Sequence, residues 1–224
     1  LQHSTELLVV TLAHVLPGKD TEARARIRSI AETLRSAPGL ISTRLYRGRH
    51  NGIVYLLLTT WEDEQSWLKA QERHMPKQLL LAATDILASD PEQWLLYYLW
   101  GYSRPTASAQ LSSAHIMTLA PQKIGLIQKQ WLMALHQPEL QTSLTFAFFA
   151  RGINDTPTAN RMATVVHTGS YREIFAQQSS LLFGFFSWAN EMEREDFYAQ
   201  PIYQQVKKFV EREGPSNILS LEML

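Results

Sequence analysis

Two spacings of apolar residues alternate along the first half of the chain. Leu7 to Val15 is rich in Leu and Val and has the character of a strand. A turn at Pro17-Gly18-Lys19-Asp20 follows, and Asp20 is placed to cap a helix. Ala23, Ile27, Ile30 and Leu34 then recur at steps of four, three and four, which is one face of a helix. Pro38-Gly39 stops it. Leu40 to Arg47 and Ile53 to Thr60 predict two strands joined through Asn51-Gly52, a pair suited to the positive φ angles of a tight hairpin. A helix from about Asp63 carries Trp67. Another opens at Pro76 and runs through Leu79, Leu80 and Leu87 to Asp90-Pro91. Trp94 to Trp100 closes the set as a strand. The order is βαββαβ, the split βαβ or ferredoxin-like unit.

From Ala114 the order repeats. Ala114 to Leu119 predicts a strand, and Pro121 opens a helix whose face is Ile124, Ile127, Trp131 and Leu135, with Pro138 as its stop. Leu144, Phe146 and Phe148 alternate along the next strand, and Met162 to Thr168 predicts its return. Gly169-Ser170 then stands where the first half has Trp61-Glu62, and a helix from about Ser170 carries Phe175 at the place of Trp67. Pro201 opens a later helix through Val206, Phe209 and Val210, Gly214-Pro215 ends it, and Ile218 to Leu224 is the closing strand. The period of roughly 105 residues is too long for a solenoid and suits a tandem duplication. The division is 1–102 for the first unit, 103–113 for a Ser- and Ala-rich linker, and 114–224 for the second.

The strands fix how such units are covered. A lone antiparallel sheet with helices on one side alternates apolar and polar residues, because its other side meets water. Val54 to Leu58 and Trp94 to Leu99 are apolar at nearly every position. Both faces of these strands therefore require burial. The expected architecture is α+β: two fused ferredoxin-like units whose antiparallel sheets form one intramolecular α/β barrel.

Composition narrows the function. Lys+Arg and Asp+Glu both count 21, so the formal net charge is zero, and no basic face for nucleic acid is implied. Cysteine is absent, which removes disulfides and thiolate metal sites and fits a cytoplasmic location. The longest apolar stretch, Leu181 to Ala189, falls well short of the ~20 residues of a membrane span. The seven histidines show no paired metal spacing, and there is no phosphate loop or dinucleotide glycine pattern. Ser66 and Lys69 share the Ser-x-x-Lys spacing of serine acylases, but the companion motifs are missing.

Several residues carry candidate chemistry, each beside a plainer reading. Trp61, at a strand end, is a pocket wall for a flat substrate or simply core. Histidine's unperturbed pKa lies near neutrality, so His74 is a candidate base or haem ligand, and it follows the charged stretch Glu72-Arg73. His167 and Tyr171 form a rival pair, although strand histidines commonly serve as hydrogen-bonded core. Arg44 and Tyr46 share one strand face, where the arginine needs a partner, an anionic ligand or solvent. Trp67 and Phe175 sit at matching helix positions. In the second half Phe146, Phe148, Phe149, Phe175, Phe183, Phe185, Phe186 and Trp188 either line a cavity for a flat apolar ligand or fill an aromatic core, and Trp67 is a candidate substrate contact in the first.

The first half resembles the antibiotic-biosynthesis monooxygenase domain of the dimeric α/β barrel superfamily. The resemblance lies in Ala37-Pro38-Gly39-Leu40, Tyr46-Arg47, Trp61-Glu62 and His74, thirteen residues beyond Trp61. It implies a pocket between each sheet and its helices. It also implies oxidation of a small aromatic or polyketide-like molecule without metal, flavin or other cofactor. Other members degrade haem, and many have no established activity, so a haem-binding protein and a non-catalytic ligand-binding barrel are the alternatives. Two departures stand out. Leu56-Leu57-Leu58 occupies the strand where the polyketide oxygenases carry an asparagine, and haem-degrading members place their tryptophan and histidine further along the helix than Trp67 and His74. Members usually dimerise, so a fused pair makes the barrel from one chain. The expected partners are a small aromatic or apolar molecule and a homodimer of the fused barrel, with neither nucleic acid nor membrane.

Overall fold

The structure is a computed structural model, and it describes residues 6–49, 51–74, 83–105, 108–153 and 181–224, without the side chains of Arg73 and His74. Among the described residues are eight strands and six helices. The first six elements carry the βαββαβ order of the expected unit: β1 (Leu7–His14), α1 (Asp20–Leu34), β2 (Leu40–Arg49), β3 (Ile53–Trp61), α2 (Glu64–His74) and β4 (Glu92–Ser103), and β5 (Leu111–Thr118) follows. Then come α3 (Pro121–Leu135), α4 (Pro138–Gln141), β6 (Phe146–Gly152), β7 (Leu181–Trp188), α5 (Glu191–Ala199), α6 (Pro201–Glu213) and β8 (Ser216–Met223). The protein is α+β, and the eight strands close a barrel in the order β1-β3-β2-β8-β5-β7-β6-β4.

The described residues group into two compact units. The first holds 6–97 with Ile153 and Met223–Leu224, and the second holds 98–152 and 181–222. In the first, β3 lies between β1 and β2, both antiparallel to it. Every residue of β3 after Ile53 is buried, so both of its faces are covered, as its unbroken apolar run requires. One face packs Tyr55, Leu57 and Trp61 against Ala23, Ile27, Ile30 and Leu34 of α1 and Trp67 of α2. Asn51 and Gly52 take φ values of 51° and 123°, the hairpin conformation the Asn-Gly pair favours. Gly39 has φ +82°, and a Cβ there would run into Ser66 at the start of α2.

In the second unit β7 lies between β5 and β6, again antiparallel, and all eight of its residues are buried. The helix-facing side of this sheet packs Met117, Ala147, Phe149, Leu182, Phe186 and Trp188 against α3, α5 and α6.

Several sequence expectations are corrected. The cap of α1 is Lys19, and Asp20 is its first helical residue, with its carboxylate taken by Arg47 instead. The helix expected through Leu87 does not reach it. Residues 84–86 form a turn, and Leu87 bridges Val15, while 75–82 lie outside the described residues. Pro138 follows the end of α3 but opens a short helix of its own. The largest correction concerns the partner of β6, which is Leu181–Trp188 and not Met162–Thr168. That expected strand and the helix carrying Phe175 fall outside the described residues. The counterpart of Trp61-Glu62 is accordingly Trp188-Ala189, not Gly169-Ser170. β5 also begins at Leu111, inside the stretch read as linker.

Candidate functional site

Strand register defines equivalent positions in the two units. Leu7 opposes Trp61, and Leu111 opposes Trp188. Each returning strand thus ends on a tryptophan facing the first residue of its neighbour. Trp61 Nε1 donates to Thr59 Oγ1 at 3.0 Å. Phe186 stands at the place of Thr59 and offers no acceptor, and Trp188 Nε1 is buried without a hydrogen-bond partner among the described residues. Four residues into each first strand the contrast recurs. Thr11 Oγ1 accepts a bond from Gln93 Nε2 at 3.2 Å. Its counterpart is His115, opposite Gly184.

His115 is 2% exposed. Strand alternation turns it toward the helices, and rings surround it. Phe186 of β7 lies 5.0 Å away between ring centres, Trp131 of α3 6.0 Å, Tyr203 of α6 6.0 Å and Tyr198 of α5 6.2 Å. Burial, with Lys207 adding a smaller repulsion, pushes the imidazole down to about 3, so it is neutral across the physiological range. Its Nε2 has no partner among the described residues, nor does Trp131 Nε1. Each such buried polar atom costs about 1–3 kcal/mol when left unpaired. Tyr198 is half-buried, and its hydroxyl is 2.7 Å from Ser113 Oγ. Burial raises the pKa of both the Tyr198 and the Tyr203 phenol, keeping them protonated. Gly184 makes this packing possible, since a Cβ there would lie 2.9 Å from Phe186 Cε2. The arrangement is a closed aromatic core around a neutral imidazole.

The residues expected from sequence are distributed differently. Trp61 and Trp67 meet in one buried cluster on the helix-facing side of the first unit. Arg44 and Tyr46 do not join them. Leu45 belongs to that cluster, so strand alternation sends its two neighbours to the opposite face. Tyr46 is buried, which raises its phenol pKa, and the hydrogen bond from exposed Arg44 opposes that rise. Arg47, on the helix-facing side, instead binds Asp20 at 2.7 Å, and Tyr55 donates to the same carboxylate at 2.6 Å. These bonds, the one from Arg47 above all, hold Asp20 below the usual carboxylate range. His74 ends α2, and its side chain lies outside the description, as do His167, Tyr171 and Phe175 entirely.

Phe146 and Phe148 belong to a second aromatic group. Phe148 stacks on Phe185 at 5.3 Å and 10° and on Phe183 at 5.9 Å. Phe149 and Phe186 face the helices, so this stack occupies the other side of the sheet. Sequence reading gave His115 no role and saw Trp131 only as part of a helix face. The available signal was a lone histidine inside an apolar strand, legible only once β7 is in register. A groove of about 320 Å³ opens between α3 and α6, lined by Met133, Ala134, Ile202, Val206 and Phe209 with glutamines, and holds no titratable group. Among the described residues no three His, Asp or Glu side chains gather as a metal site, and no helix is long and apolar enough to cross a membrane.

Residues 7–75 match the model of the antibiotic biosynthesis monooxygenase family. No curated protein matches the chain. The fold is similar to that of a candidate monooxygenase from Fusobacterium nucleatum subsp. nucleatum ATCC 25586, at TM-score 0.71 and 7% identity, covering 99% of this chain and 93% of that one. It is similar to an anthrone oxidase-like protein, at TM-score 0.67 and 10% identity, covering 98% and 92%. A major regulator of staphylococcal pathogenesis also shares it, at TM-score 0.53 and 7% identity, covering 97% and 99%. At these identities the likeness is one of fold.

Proposed function

We propose that this chain, whose residues 7–75 form a domain of the antibiotic biosynthesis monooxygenase kind, is a monooxygenase-like enzyme that oxidises a small aromatic or polyketide-like substrate without a cofactor. The family match carries the reading, because its span includes both Trp61 and His74. The matching tryptophans at the ends of β3 and β7 support a tandem duplication with units at 1–102 and 114–224.

The substrate supplies the electrons. A phenol that loses its proton becomes a one-electron donor to dioxygen. A ring CH₂ then becomes a carbonyl, and the second oxygen atom leaves as water. The protein's share is a base, a dry pocket and donors for the developing anion. In this proposal Trp61 and Trp67 form the wall and His74 is the base, with His167 and Tyr171 as the rival pair. Arg44, Tyr46, Phe146 and Phe148 would contact substrate only if it reaches the other sheet face, while Phe175 is the sequence counterpart of Trp67. A second reading, ligand binding without turnover, is favoured by the apolar groove between α3 and α6, which holds no titratable group.

The test is oxygen uptake by chelator-treated, colourless protein with a panel of anthrones and hydroquinones. Uptake is expected, rising with pH through the range where histidine titrates. Replacing His74→Ala should lower turnover more than substrate binding. Uptake that requires added iron, flavin or haem would overturn the mechanism. No uptake with any substrate would favour the ligand-binding reading.

A further inference from the structure

We infer that the groove between α3 and α6 receives α5 of a second copy of this chain, and that two such contacts close a two-fold dimer. The inference gives the groove of the second reading above a protein occupant in place of a small molecule. It stands apart from the oxidation proposed for the first unit.

Both sides of the contact lie in the second unit. Phe197 is fully buried and anchors α5, and Asn190 caps the helix by accepting from the Glu193 N–H at 3.0 Å. With Phe197 turned inward, Met192, Glu195, Asp196 and Ala199 recur at steps of three, one and three as an exposed outer stripe. Met192 is 67% exposed, more than any other large apolar side chain among the described residues. Glu195 and Asp196 enter no ion pair among the described residues, while neighbouring Glu191 is held by Arg194.

The groove has the opposite character. Ala134 and Val206 are buried at its base, Ile202 and Phe209 are half-buried along it, and Met133 stands 55% exposed. Its polar lining is glutamine only. The charges beside it are Lys129, which precedes Gln130, and Lys208 and Arg212, each one helical turn beyond Gln205 and Phe209. All three are exposed and enter no ion pair among the described residues. The acids of α6 are engaged instead, Glu211 by Lys207 at 3.8 Å and Glu213 by Lys123 at 3.2 Å. An apolar trough bordered by unopposed cations fits an acidic helix with an apolar knob. The α5 stripe supplies both. Its methionine is a flexible side chain that fills irregular apolar surface, and its carboxylates meet the lysines and the arginine.

The second copy follows from where the two parts sit. α6 packs against both α3 and α5, so groove and stripe share one helical layer, to either side of α6. α5 does not reach its own groove, because Phe197 is held among Phe186, Trp188 and Tyr203. A two-fold axis over α6 sets the stripe of each copy on the groove of the other. The same residues then meet twice, and the contact closes without a further partner. A lone exposed methionine is ordinary. Here two of them lie on faces of opposite charge in one layer, which gives the pairing its direction.

Sedimentation equilibrium of the full chain reads the dissociation constant at about 0.05 and 0.5 M salt. We expect a dimer at micromolar concentration in low salt, weakened at least tenfold in high salt. Met192→Ser should weaken it about tenfold. Lys208→Glu with Arg212→Glu should leave a monomer, and so should Glu195→Lys with Asp196→Lys in a separate chain. Mixed in equal amounts, these two double variants should dimerise again, because each groove then faces a stripe of opposite charge. Recovery on mixing also reports that both variants fold. The oxygen-uptake assay reads the first unit, so the two proposals fail separately. A full chain that stays monomeric in low salt at about 100 μM would overturn the contact. So would a dimer unmoved by either double variant, or double variants that remain monomeric when mixed.

Discussion

The least legible residue is the one with the sharpest physical signature. His115 lies between Ala114 and Ile116 on an apolar strand and belongs to no motif, so its sequence context is that of any core histidine. Its consequence is a pH dependence of stability. The folded imidazole titrates near 3 and the exposed one near 6.5. Below 6.5 the unfolded chain takes up the proton first. The stabilisation is therefore complete above 6.5 and is lost as pH falls toward 3, at about 1.4 kcal/mol per unit. Asp20, whose pKa is lowered by Arg47, has the same sign but acts only below the ordinary carboxylate value. Urea unfolding at pH 7, 6, 5 and 4 should show stability falling by a few kcal/mol, with His115→Phe flattening the decline. Parallel profiles for the two proteins would mean that the ring is protonated in the fold or exposed.

At the scale of elements, two glycines separate packing from propensity. Gly184 lies in the middle of β7 with Phe186 against it, so Gly184→Ala must displace a ring already packed on Trp131 and should cost about 1–3 kcal/mol. Gly125 lies within α3 with open space where a Cβ would go. Gly125→Ala should stabilise by about 0.5–1 kcal/mol. Urea denaturation of the pair checks both signs, and a neutral Gly184→Ala would mean that β7 packs more loosely than described. The same glycine explains what the sequence concealed. Helices and strands with one dry face announce themselves by period, as α1, α3 and β6 did. β7 is buried at every residue and therefore has no period, and Gly184 and Ser187 interrupt its apolar run. The weaker run at Met162–Thr168 looked more like a strand, and that choice shifted the second unit's register and hid the match between Trp188 and Trp61. In the first unit the Asn51-Gly52 turn and the Pro38-Gly39 stop pinned the register, so the elements matching the family stretch were read nearly to their ends.

For the whole molecule, the decisive feature is strands apolar on both sides, a pattern that calls for a barrel from sequence alone. Closure has a testable cost when undone. In the ring of strands β4, β1, β3 and β2 are consecutive, so a fragment of residues 1–101 keeps that run and makes β4 and β2 its edges. β2 spans ten residues and β4, twelve residues in the full chain, loses only Tyr102 and Ser103; both are long for edges, and neither carries a proline that would block pairing. β3 within the fragment is buried on both faces in the intact protein, whereas α1 and α2 of the fragment cover one. The fragment should therefore present unpaired backbone along two edges and an apolar sheet face together, and a surface of that kind associates. Light scattering coupled to size exclusion should find dimers or larger species at micromolar concentration, while the full chain does not acquire these edges. A monomeric fragment that unfolds cooperatively would show that the first unit buries its sheet unaided, and the barrel would then be a mere arrangement of its strands and not a condition of its stability.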